Sequence, residues 1–129
     1  MNARVSFASN QPKKILLSSK EFNKDELQFF NGDSVDVHTS SNLEEVINFY
    51  KTSDICSILI EAGPSLVKSF IETGIIDEII VYTSRKILGE NGVNWFEKNK
   101  TIENYGFKLE SSYKIDQDIK QTFVKNEKK

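Results

Sequence analysis

Ser57-Ile58-Leu59-Ile60-Glu61-Ala62-Gly63-Pro64-Ser65-Leu66 is the stretch that decides the fold of this chain. Ser57–Ile60 reads as a buried strand that runs straight into Glu61. Ala62-Gly63 turns the chain, and Pro64 opens an amphipathic helix to about Thr73, closed by Gly74 at a favoured C′ position. Spacing puts Leu66, Val67, Phe70 and Ile71 on the inward face. A helix start beside a strand-end carboxylate offers unpaired N–H groups and the positive end of a dipole, which suit a pyrophosphate. Gly63 would let that group approach the backbone closely. The motif taken alone fits equally well a tight strand–helix turn with an incidental Glu61.

Upstream, Arg4–Ala8 is a short strand candidate, and Lys14–Ser18 reads as a buried strand. Lys24–Phe30 is a short helix candidate with Leu27 and Phe30 inward, and Asn31-Gly32 turns the chain into the alternating strand Ser34–His38. Ser41-Asn42-Leu43-Glu44 matches a capping box. Behind it, Leu43, Val46, Ile47 and Tyr50 share one helix face. Downstream, Ile79–Thr83 is apolar enough for a sheet interior. Ile87–Gly92 reads as a strand end entering a loop, and Trp95-Phe96 as a core or interface anchor. Gly106–Tyr113 and Asp116–Val124 read as an antiparallel pair turning at Tyr113–Asp116. Strand–helix alternation followed by strands predicts an α/β fold: a mixed, mostly parallel sheet flanked by helices, with C-terminal antiparallel strands.

Composition narrows the function. The 129 residues fit one compact domain, residues 1–129. A net charge of −2 argues against a nucleic-acid surface. No run approaches the roughly 20 apolar residues that span a bilayer, and Met1–Arg4 has no signal core, so no membrane partner and a cytoplasmic location are expected. The lone Cys56 excludes an internal disulfide and a thiolate zinc cluster, and its place at a strand start predicts a buried thiol. No metal site is expected. His38 has no nucleophile elbow to serve and reads as partly exposed and non-catalytic. A Walker A loop, Gly-x-Gly-x-x-Gly and the zinc-deaminase signature are all missing from the sequence.

From about residue 14 onward the chain resembles the reductase domain of bifunctional riboflavin-biosynthesis deaminase–reductases. The residues that carry the resemblance are Ile58–Leu66, then Phe70-Ile71-Glu72-Thr73-Gly74-Ile75-Ile76-Asp77-Glu78, then Tyr82 and Lys86-Ile87-Leu88-Gly89. Their order and spacing follow the family pattern: a strand ending Glu-Gly/Ala-Gly-Pro-Thr/Ser-Leu, a helix, Gly-Leu-Val-Asp-Glu, a strand, and Pro-Lys-Leu-Leu-Gly. Arg85 stands where the family usually has proline.

The resemblance implies a dihydrofolate-reductase-like fold. It also implies NADPH-dependent reduction of the ribosyl group of 5-amino-6-(5-phosphoribosylamino)uracil to the ribityl group. The substrate is then a small phosphoribosylaminopyrimidine. By resemblance Glu61 contacts substrate, and Gly63, Pro64, Ser65, Leu66 and Val67 form the cofactor-phosphate loop. Ser19 falls where the family often has a serine near the cofactor. Arg4 falls where an arginine helps hold the substrate phosphate, the alternative being a solvated terminal arginine. The catalytic group is left unassigned. The resemblance further implies that the family's first strand and the deaminase domain are missing here. The chain is then the later part of a reductase domain, pairing as a homodimer or with a missing N-terminal segment. A non-catalytic nucleotide-binding or dimerisation module derived from such an enzyme is the other reading.

Overall fold

The computed structural model describes residues 12–18, 20, 28–30, 35–39 and 42–126. The expected strand at 4–8 and the first residues of the 24–30 helix lie outside these, as do Arg4 and Ser19. Two compact units divide the chain between Cys56 and Ser57.

In the first unit, β1 (Lys14–Leu17) and β2 (Val35–His38) pair in parallel, Lys14 opposite Val35 and Leu17 opposite His38. A 3-10 turn occupies Gln28–Phe30. Helix α1 (Leu43–Lys51) buries Val46, Ile47 and Tyr50, the face its spacing predicts. Its start differs from the expected capping box. Asn42 is the N-cap, and its Oδ1 accepts from the Glu44 N–H at 3.1 Å. An asparagine oxygen does this as well as a serine. Tyr50 ties α1 to β2. Its hydroxyl donates to Asp36 Oδ2 at 3.0 Å and lies 2.8 Å from His38 Nε2. Because the hydroxyl proton goes to the carboxylate, His38 Nε2 must be the donor to the tyrosine oxygen. Lys13 closes the chain of contacts with a 2.8 Å ion pair to Asp36. Burial, then the Asp36 hydrogen bond, push the Tyr50 hydroxyl up to about 12. Lys13, then Tyr50, hold Asp36 below its ordinary value.

The second unit holds helix α2 (Pro64–Glu72) and strands β3 (Glu78–Thr83), β4 (Phe107–Ile115) and β5 (Asp118–Lys125). The strands form one antiparallel sheet in the order β3-β5-β4. Its core is Ile71 of α2, Ile79 of β3, Phe123 of β5, Phe107 of β4 and Ile102 of a 3-10 turn, with Val67, Ile76, Val81, Phe96 and Tyr105 packed around it. So Phe96 is the core anchor of the Trp95-Phe96 pair, while Trp95 stays 45% exposed.

The α/β class holds, with a parallel part and a C-terminal antiparallel part. Four details differ from the sequence reading. First, among the described residues β3 is an edge strand, not an interior one. Its Ile79 is buried while Ile80 and Tyr82 stay 40% and 65% exposed, because the described residues of the second unit cover only one face of the sheet. Second, the β4–β5 turn is Asp116-Gln117, two residues later than expected. Asp116 takes φ 52, a left-handed conformation that aspartate tolerates.

The third and fourth details belong to the deciding stretch. Residues 55–63 form no strand, and Ile58 and Leu59 are 51% and 69% exposed. A strand exists through its neighbours' hydrogen bonds, and no described strand pairs with this segment. Cys56, expected to be buried at the start of that strand, is therefore exposed.

Candidate functional site

The site is built around the start of α2. Gly63 is its N-cap at φ −69 and ψ 166, and Pro64 holds the first helical position. Proline removes one N–H that would have no partner there. The N–H of Val67 is already bonded to the Gly63 carbonyl at 3.1 Å. No side chain caps the turn and no acidic residue lies in it. The Ser65 and Leu66 N–H groups are left for an outside acceptor at the positive end of the helix dipole.

Gly63 fits the same purpose. Its dihedrals are open to any residue, and a Cβ built there meets nothing within 4 Å. Neither backbone conformation nor packing among the described residues calls for glycine. Close approach by a ligand would call for one. Gly74, at the other end of α2, contrasts: its φ of 71 needs glycine for the fold itself. That end is firmly closed. Gly74 N–H donates to the Ile71 carbonyl at 3.0 Å, Thr73 Oγ1 to the Phe70 carbonyl at 2.6 Å, and Lys125 Nζ to the Gly74 carbonyl.

Glu61 lies two residues before the cap on the exposed irregular segment. Its carboxylate has no hydrogen bond or ion pair among the described residues. Structure thus places Glu61, Gly63, Pro64, Ser65, Leu66 and Val67 on one continuous turn. Pro64, Leu66 and Val67 are half-buried, and Glu61, Gly63 and Ser65 are exposed. Arg4 and Ser19 lie outside the described residues.

One set of residues went unnoticed in the sequence. Lys68, in the second turn of α2, binds Glu97 at 2.6 Å, and Lys100 binds the other oxygen of Glu97 at 2.6 Å. The Lys100 hydrogen bond, then that of Lys68, hold Glu97 down to about 2. Glu97 in turn raises both lysines. The consequence is local. The one lysine of α2 is committed to the 93–100 loop, which leaves backbone N–H groups as the donors at the helix start. A partner 29 residues away leaves no periodic trace in sequence. Among the described residues, no cluster of histidine, cysteine and acidic side chains could hold a metal, and no helix is long and apolar enough to cross a membrane.

The RibD C-terminal domain model matches residues 1–121. The chain belongs to that family. Among curated relatives, the riboflavin biosynthesis protein RibD of Buchnera aphidicola subsp. Baizongia pistaciae is 36% identical over 92 residues, covering 66% of this chain and 24% of the relative. RibD of Aquifex aeolicus is 28% identical over 117 residues, covering 82% of this chain and 33% of that protein. The 5-amino-6-(5-phosphoribosylamino)uracil reductase of Buchnera aphidicola subsp. Acyrthosiphon pisum is 32% identical over 82 residues, covering 61% of this chain and 40% of the reductase. The chain therefore spans well under half the length of these RibD-family relatives. Of solved structures, Acinetobacter baumannii RibD, form 2, aligns with a TM-score of 0.68 at 21% identity, over 95% of this chain and 42% of that one. This likeness shows the fold, the dihydrofolate-reductase-like one expected for RibD.

Proposed function

We propose that this RibD C-terminal chain is the later part of a reductase domain that uses NADPH. Its substrate in this reading is 5-amino-6-(5-phosphoribosylamino)uracil, reduced to the ribitylamino product on the way to riboflavin. The observation that carries the reading is the open start of α2: a glycine the fold does not require, a proline, and no capping side chain or acid. The name of the Buchnera reductase, 32% identical over 82 residues, supports the substrate.

In this reading the Ser65 and Leu66 N–H groups hold the cofactor phosphates, and Gly63 gives them room. Val67 fixes the turn by packing against the core. Glu61 accepts hydrogen bonds from substrate donors beside it. Bound NADPH supplies the hydride, and the protein supplies position and electrostatics.

The exposure of Ile58 and Leu59 favours a qualified form of this reading. Among the described residues nothing pairs with the segment that presents Glu61, so in this reading the 129-residue chain binds nucleotide weakly and turns over poorly by itself. Pairing with a second copy or with a further reductase segment would complete the site.

Thermal melts with NADPH and NADH test it, since a ligand of the native state raises the midpoint by mass action. An NADPH-selective rise that is lost in Gly63→Glu is the expected result. A cooperative melt that neither nucleotide shifts would overturn the cofactor reading in favour of a non-catalytic module.

A further inference from the structure

Strand β4 lies at one edge of the three-stranded sheet, with β5 on one side and no described strand on the other. Along its nine residues only Phe107 is buried, so the free edge is open. Such an edge carries unpaired N–H and C=O groups and is a template for another strand. Proteins blunt their edges with proline, charge and bulges. Strand β4 has no proline, and its register shift, between Leu109 and Ser111, lies toward one end. Glu110 is the β4 residue with no residue opposite it on β5.

The hairpin decides which backbone groups face outward. The two-residue turn Asp116-Gln117 closes on Ile115 and Asp118, whose backbone groups bond each other. Bonded and non-bonded pairs alternate along an antiparallel ladder. Ile115, Tyr113 and Ser111 therefore turn their N–H and C=O toward β5, while Lys114 and Ser112 turn theirs outward. The Glu110 carbonyl lies across a trans peptide from the inward Ser111 N–H, so it points outward as well.

Two copies of one strand can pair antiparallel about a two-fold axis, and few registers bring outward groups together. Axes at Glu110 or at Lys114 set identical charges on each other. An axis at Ser111 sets Lys114 against Lys108, and one at Tyr113 sets Glu110 against Asp116. Like charges directly opposite destabilise a pair of strands. The axis at Ser112 instead sets Glu110 of each copy against Lys114 of the other. There the two Ser112 residues exchange both backbone bonds, and each Lys114 N–H meets a Glu110 carbonyl. Tyr113, 61% exposed, stands diagonal to its own copy, within reach of an aromatic contact.

We propose that the free edge of β4 pairs with the same edge of a second copy of this chain, antiparallel about a two-fold axis at Ser112. Two three-stranded sheets then become one continuous sheet. Self-complementary charge identifies the partner as another copy. The paired stretch, residues 110–114, is short, so the association is weak and depends on concentration. It does not depend on the cofactor reading, since the start of α2 takes no part.

Sedimentation equilibrium on the full chain tests it, with Cys56→Ser as the common background because Cys56 is exposed. A dimer whose share rises with concentration is expected. Glu110→Lys and Lys114→Glu should each weaken it about tenfold by setting like charges together at two symmetric places, and the double exchange should restore it. Ser112→Cys should give a disulfide-linked dimer under mild oxidation, because directly opposite residues stand within disulfide reach. Leu109→Cys should not, since its two copies stand about 20 Å apart in this register. All four positions are exposed, and dispersed amide spectra of the variants will confirm the fold. A chain that stays monomeric at every concentration, or a dimer indifferent to the single exchanges, would overturn this edge as the interface. So would a folded double exchange that fails to restore the dimer, or equal linking at positions 109 and 112.

Discussion

Helices α1 and α2 are both nine residues long, and their first turns are built in opposite ways. Helix α1 completes itself. Asn42 caps it, Glu44 and Glu45 sit at the positive end of its dipole, and Lys51 sits at the negative end. Helix α2 has neither cap side chain nor first-turn acid, and no basic residue in its last turn. Its far end is closed by Gly74, Thr73 and Lys125, so the incompleteness is confined to the end that follows Glu61. A helix end left unsatisfied costs stability unless water or a ligand fills it. The difference separates a helix closed at both ends from one whose start is left open, the feature on which the proposed cofactor site rests.

Four changes would break or sharpen that contrast. Ile71→Ala strikes the packing that holds α2 to its sheet and should cost about 3 kcal/mol, read from denaturant midpoints. A loss under about 1 kcal/mol would mean that α2 is held by something other than this core.

Gly63→Asp gives α2 the kind of cap that α1 has. The dihedrals at Gly63 suit an L residue, so stability should rise by a few tenths of a kcal/mol. The nucleotide-induced rise in melting temperature should vanish at the same time. Gain of stability with unchanged nucleotide response would remove Gly63 from the binding site.

Asn42→Ala is the reciprocal change. It should cost about 1 kcal/mol and leave the nucleotide response as it was. A changed response would blur the division between the two helix starts.

The smallest effect is on pH dependence. The hydrogen bonds from Lys100 and Lys68 hold Glu97 down to about 2, against an ordinary value of 4.5. A depressed carboxylate stabilises the fold above its unfolded value and loses that contribution as pH falls through the folded one. The tie between α2 and the 93–100 loop should therefore weaken from about pH 4.5 down to about 2. Circular dichroism against pH, with Glu97→Gln flattening part of the slope, measures it. Asp36 is lowered as well, so Asp36→Asn is needed to separate the first unit's share of acid lability from the second's.

The legibility of these features in sequence follows their range. Helix α2 was readable because Pro64, the apolar spacing and Gly74 are local signals that act within one element. The same holds for α1, although its cap proved to be Asn42 and not Ser41, since two adjacent polar residues can serve equally. Ser57–Glu61 was misread for the opposite reason. Its apolar residues favour a strand, but pairing is decided by other segments, and the described strands leave it unpaired. The exposure of Cys56 follows from that one error. Lys68 with Glu97, and Tyr50 with His38 and Asp36, join positions that only folding brings together. The turn Glu61–Val67 lay between these extremes. Helix-start chemistry pointed to an anion, while identifying that anion with a cofactor phosphate required the family pattern.

The irregular stretch from residue 55 to 63 also has a practical side. The chain's single cysteine lies within it, exposed, at the boundary between the two compact units and seven residues before Gly63. A maleimide dye would attach there and nowhere else on the native sequence. Its emission would report whether this stretch becomes ordered, giving the chain a built-in optical gauge that needs no engineered thiol.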